Sequence, residues 1–275
     1  MSTRSVCLAI LLFCVALPVY AEEQSSIEEI GLDQKLQRLY ELYRAGETVA
    51  LAPRESRFTL GVAYAFDDRS ELGLRTSNRS LALQGSFAYG IVDWLEAGVT
   101  VPLQWNQTRL ETNDATLANT SVAGLGDVGV QLIATLPVRT FEATGVLGLA
   151  FPTGRDGIGE PGVRSHLGLN VATIIRPAFV FGGLAWQRDW YANLDSIVYT
   201  GGLGFYLNYL LSAGVELSGT RFLNPPRGGI HDTASATVRI SYQATPNVGI
   251  TPSVSFGLTD SAPDVVVGFT ISRRF

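Results

Sequence analysis

The stretch AGLGDVGVQL, residues 123–132, contains G-x-G-x-x-G as Gly124, Gly126 and Gly129. That spacing cradles a pyrophosphate only where it leaves a strand and opens a helix. Here Val128, Val130, Leu132, Ala134 and Leu136 alternate with Gly129, Gln131, Ile133 and Thr135. A period of two is a strand, so no helix N-terminus is on hand to hold a phosphate. The glycines instead read as a bend from a loop into a strand, and Asp127 sits at that rim. Two histidines could do proton chemistry: His166 follows Ser165, and His231 precedes Asp232. Neither comes with a nucleophile signature such as G-x-S-x-G. Cys7 and Cys14 both fall in the first 21 residues. The chain beyond them has no thiol for a disulfide, a zinc site or a nucleophile. No enzyme activity, cofactor or metal is expected.

What remains is a set of charges in an otherwise apolar chain. Charged residues make up 16% of the sequence, and mean hydropathy is positive at +0.19. Glu96, Glu142, Glu216, Arg57, Arg239 and Arg274 all fall at the polar positions of alternating segments. Three acids and three arginines in one confined space should pair, because an unpaired buried charge is costly. They are expected either to brace a wall or to form a constriction that selects solutes by charge and size.

The elements that must carry these residues follow from the same alternation. In residues 95–105, Leu95, Ala97, Val99, Val101, Leu103 and Trp105 alternate with Glu96, Gly98, Thr100, Pro102 and Gln104. One face is greasy over a length that suits the ~9–11 residues of a tilted transmembrane strand. About twelve such segments recur, joined by short turns at one end and mostly longer connections, such as 67–79 and 106–125, at the other. No stretch beyond the first twenty-one residues is apolar for the ~18 residues that a spanning helix needs. The reading is an all-β, antiparallel transmembrane β-barrel of about twelve strands over residues 56–275, in which only alternate residues face lipid. Aromatic residues gather at strand ends, as expected where rings meet lipid headgroups. The inward set is mostly Gly, Ser, Thr and Ala, which leaves space along the barrel axis.

Before the barrel, Arg4, an apolar run from Val6 and the small-residue pattern up to Ala21 make residues 1–21 a secretory signal peptide. Its removal leaves 19 basic against 25 acidic residues, a formal charge of about −6 that argues against nucleic-acid binding. Residues 22–55 form a periplasmic helix and linker. Ser26 and Glu29 make a capping box, and Leu32, Leu36, Leu39 and Tyr43 follow at a/d spacing before Gly46. This 26–45 helix could pack on the barrel rim, pair two copies into a homo-oligomer, or plug the lumen.

Three further motifs carry a resemblance. Gly124-Leu125-Gly126-Asp127-Val128 enters one strand, and Phe151-Pro152-Thr153-Gly154 leaves the next. Thr259-Asp260-Ser261-Ala262-Pro263-Asp264 precedes the last strand, which ends in Phe275. In order and placement they resemble the outer-membrane β-barrel "transporter" family named for the meta-pathway of phenol degradation. That resemblance implies a Gram-negative outer-membrane channel for small molecules, hydrophobic or aromatic ones included, passing by diffusion. It also implies that Phe275 is recognised by the barrel-assembly machinery, although Arg273 stands where the usual pattern has an aromatic residue. The alternative is a pore for a polypeptide, of the functional-amyloid type, with the N-terminal helix as its partner-binding element.

Overall fold

In the computed structural model, residues 51–275 are described, apart from 72–73, 113–114, 139–140, 176–177, 209, 225–231 and 246. The leader and the 26–45 helix lie outside these residues. Strands β1 (Ser56–Glu71), β2 (Leu74–Val92), β3 (Leu95–Thr112) and β4 (Thr116–Leu125) come first. They are followed by β5 (Val128–Val138), β6 (Phe141–Phe151), β7 (Arg164–Ile175), β8 (Ala178–Asp189) and β9 (Leu194–Tyr206). The chain ends with β10 (Leu211–Phe222), β11 (Thr233–Thr245), β12 (Val248–Gly257) and β13 (Val265–Arg274). Each pairs antiparallel with its neighbours, and β13 returns to β1 from Arg57↔Arg274 to Phe66↔Val265. The sheet is therefore closed, as lipid demands of any backbone without water to bond.

The thirteen segments make twelve barrel strands, because β4 and β5 are two arms of one. On β3, Leu103 faces Leu125 of β4, while Thr100 faces Gly129 of β5. Two β3 residues thus oppose three on the partner, which is a β-bulge. The Gly126 amide donates to the Pro102 carbonyl across it at 2.8 Å. Pro102 has no N–H for a ladder, so the bulge is a position it tolerates. The glycine-rich motif is this bend.

The core is inverted relative to a water-soluble protein. Phe58, Leu60, Leu103, Leu147, Leu184 and Val238 point outward and are exposed, as are many like them. Such an area of apolar surface is compatible only with a non-aqueous surround. Exposed Tyr89, Trp94, Phe141 and Phe275 lie at the short-turn end; Phe151, Trp186 and Trp190 lie at the other. Tyr209 is outside the described residues.

Two connections differ from the expectation. Residues 67–79 and 106–125 are mostly strand rather than loop. The β1–β2 ladder runs to Glu71↔Leu74, and β2–β3 to Leu74↔Thr112, whereas β13 stops against Phe66. Strands β1 to β4 therefore project beyond the rest of the rim. Above the lipid both faces are wet, so apolar alternation no longer marks the strand and polar cross-strand pairs hold it. Gln107 donates to Asn119 at 3.0 Å, and the Trp105 indole donates to Ser121 at 2.8 Å. The Arg75 guanidinium beside Asp68 holds that carboxyl below the usual carboxylate range. Similarly, β8 and β9 meet in a tight turn at residues 190–193, where a longer loop was expected.

Candidate functional site: the lumen and its outer rim

Inward residues are small on most strands, and several of the large ones have a glycine as register partner. Phe179 and Phe181 of β8 pair with Gly204 and Gly202 of β9. A Cβ on Gly204 would lie 2.0 Å from the Phe179 ring, and one on Gly202 would lie 2.5 Å from Phe181. Likewise His166 lies over Gly148, and Asn170 over Gly183. His166 and Asn170, laid against glycine in this way, border the open lumen, whereas Phe179 is fully buried. Replacing Gly204 by Val should therefore cost on the order of 1–3 kcal/mol by overpacking. Denaturant unfolding of the folded barrel measures this. Adding Phe179→Ala should restore most of the loss; no recovery would mean that the ring is not the obstacle.

Phe179, Phe181 and Tyr206 form an aromatic patch on this inner wall. The Phe179 ring is 5.0 Å from that of Tyr206 and 6.5 Å from that of Phe181. Strand-end sorting missed these rings, yet parity could have found them. Leu184 and Trp186 face lipid, so positions 179 and 181 must face inward. His166 is an inner-wall residue by the same parity, not an interface or loop histidine. His231 lies outside the described residues.

Five of the six predicted charges fall into two groups, and Glu142 into neither. Near the short-turn end, the Arg57 guanidinium donates to Glu96 Oε1 at 3.2 Å, with Glu96 fully buried. The Leu51 amide donates to Glu96 Oε2, also at 3.2 Å. Arg274 is the register partner of Arg57 and adds a second cation attracted to Glu96. Closer to mid-depth, Arg239 donates to Glu216, which is also buried. Glu142 sits near the start of β6, away from the Arg57–Glu96 pairing, and has contacts of its own. Hydroxyl pairs satisfy much of the remaining wall: Ser218 with Ser235, and Ser241 with Thr251, each at 3.1 Å.

A cavity of about 610 Å³ lies in the lumen. Gln84, Gln131, His166, Asn170, Thr200 and Ser218 line it, together with Arg57 and Glu216. Its volume is in the range of small-molecule sites.

Asp127 fastens the connection between β6 and β7. Its side chain is almost fully buried, accepts from the amides of Gly154 (3.2 Å) and Glu160 (2.9 Å), and pairs with Arg164 at 3.1 Å. Thr153 Oγ1 accepts from the Val128 amide at 2.9 Å. A Cβ on Gly159 would fall 2.4 Å from Asp127 Oδ1, so glycine lets the loop backbone close on the carboxylate. Arg155 lies over Gly124, a position on the inner face, and its guanidinium donates to the Ala123 carbonyl at 3.0 Å. The two motifs around Gly124–Val128 and Phe151–Gly154 are thus halves of one fastening. It draws residues 152–163 over the inner face of β4. A further ion pair at this rim, Asp67 with Arg69, to which the Asn78 amide also donates, lay in a segment expected to be loop.

Among the described residues, no group of acidic, histidine or cysteine side chains could hold a metal ion. No protein-family model and no curated protein matches the chain. Solved structures do. An outer-membrane channel from Pseudomonas putida F1 superposes with a TM-score of 0.60 at 14% identity, over 84% of this chain and 98% of that one. The translocator domain of the autotransporter NalP from Neisseria meningitidis gives 0.54 at 14% identity, over 88% and 95%. At that identity the likeness is one of fold. The fold is that of an outer-membrane β-barrel.

Proposed function

We propose that the chain is an outer-membrane channel through which small molecules, hydrophobic or aromatic ones among them, diffuse passively. The observation that carries this reading is the lumen cavity, bordered by inward side chains laid against glycine. Its polar lining lets a solute exchange water for hydroxyl and amide contacts, and the aromatic patch lies on the same wall. The resemblance of the three motifs to the phenol meta-pathway transporter family supports the same substrate class. The paired charges that line the cavity serve as a constriction. The test is solute entry into liposomes and planar-bilayer current with a panel that includes neutral monoaromatics, aromatic acids and a sugar of similar size. Aromatic solutes should enter faster than the sugar. Equal rates would remove the substrate class, and unchanged selectivity in Glu216→Gln/Arg239→Gln would remove the constriction.

A further inference from the structure

The outward face of the projecting hairpins changes character within a few residues. On β2 and β3 the lipid side belongs to odd positions, among them exposed Leu81, Phe87, Val101 and Leu103. The same parity continues outward to Arg79 and Arg75 on β2, and to Trp105, Gln107, Arg109 and Glu111 on β3. β1 adds Phe66 and Asp68 to this face. Rings such as Phe66 and Trp105 settle where acyl chains give way to head groups. β13 stops against Phe66, whereas β1, β2 and β3 run on past it. These three strands therefore carry a lipid-side face up through the head-group layer.

Three arginines stand on that face in a zigzag. Phe66 faces Arg79, Ser77 faces Arg109, and Arg75 faces Glu111, so Arg79, Arg109 and Arg75 are successive diagonal neighbours. Neighbours of this kind lie about 7–8 Å apart. Arg79 is exposed, and among the described residues its guanidinium makes no hydrogen bond or ion pair. Arg75 is paired with Asp68 and Arg109 with Glu111, yet their side chains stay 59% and 51% exposed. One carboxylate leaves several of the five N–H donors of a guanidinium unused. Three cations against two acids leave this patch positive, on a chain whose formal charge is −5. A cation set immediately above an apolar surface complements an amphiphile with an anionic head.

We propose that this face binds a phosphorylated lipid of the outer leaflet. Its acyl chains lie against Leu81, Val101 and Leu103, and its phosphate is held by Arg79 and Arg109. Guanidinium forks match the oxygens of a phosphate, and such charge-assisted bonds are the strong ones. Arg75 stands one diagonal further out, where the rest of the head group meets water. The lipid fixes the height of the projecting hairpins in the leaflet without touching the lumen.

The test counts lipid on the full mature chain, so it does not depend on which solute permeates. The barrel is refolded in phosphatidylcholine vesicles containing a minor share of diphosphorylated lipid A, or of the same lipid stripped of its phosphates. It is then extracted, and bound lipid is read by native mass spectrometry, scoring only barrel that keeps its folded, heat-sensitive gel migration. The parent should retain the phosphorylated form at least about tenfold more than the stripped one, whose acyl chains are identical. Arg79→Gln/Arg109→Gln should lower that retention at least about tenfold, as expected for two lost charge-assisted contacts. Arg221→Gln, which changes an exposed arginine on β10 at the same rim, should leave it unchanged. Equal retention of the two lipids by the parent would overturn the proposal, as would a double variant that binds like the parent. An equal loss in Arg221→Gln would also overturn it, by assigning the retention to the charge of the whole rim.

Discussion

Glu96→Leu should destabilise the folded barrel by roughly 3 kcal/mol or more, since removing one partner of a buried pair leaves an uncompensated charge. The effect is large because Glu96 serves three groups. It accepts from Arg57 and from the Leu51 amide, and it attracts Arg274, which faces Arg57 in the β1–β13 ladder. Without the carboxylate those two guanidiniums repel across the closing seam. Urea unfolding in lipid vesicles, followed by tryptophan fluorescence, measures the change. Glu96→Gln keeps an acceptor and should recover part of the loss. A midpoint shift worth less than about 0.5 kcal/mol, the range of an ordinary surface substitution, would show that the pair is not structural.

The second large effect belongs to the outer rim. Asp127→Ala removes the partner of Arg164 and leaves the Gly154 and Glu160 amides without their acceptor. A buried donor left unsatisfied costs about 1–3 kcal/mol. Here the loop can escape that cost by opening, so the change should be local. Limited proteolysis between residues 152 and 163 should become at least about tenfold faster, which corresponds to ~1.4 kcal/mol of local opening. Bilayer current should become larger or noisier as the loop leaves the mouth. Unchanged cleavage would mean that Thr153 and Arg155 hold the loop unaided. Asp127→Asn tests charge against shape, since it can accept the amides but cannot pair with Arg164.

These sites were unequally legible in the sequence. The lipid-crossing strands could be read because water and lipid act on opposite faces and force a period of two. The bulge at Gly126–Asp127 was visible as a bend, but its purpose was not, because residues 152–163 close on it from twenty-five or more positions away. The projecting hairpins were misread as loops for a physical reason. Where both faces are wet, only pairing partners such as Gln107 and Asn119 hold the strand, and such pairs leave no periodic trace. The inner aromatic patch was hidden by its surroundings: residues 178–186 are apolar on both faces, so Phe179 and Phe181 did not stand out. The charged positions on the wall were readable from parity, but their grouping depended on strand stagger. That is why Arg57 meets Glu96 while Glu142 lies elsewhere.

Where a large inward residue is paired with a glycine, the pair sets a rule for how this sequence can drift over generations. Phe179 cannot be traded freely, nor can Gly204, because either change alone creates a collision or a hollow. The two can exchange sizes together, and so can His166 with Gly148 or Asn170 with Gly183. Descendants of this barrel should therefore carry correlated substitutions at register partners, with the bulk moving from one strand to its neighbour while the bore remains constant. Bore width becomes the inherited trait, and the identity of the residue that fills each half of a pair becomes neutral.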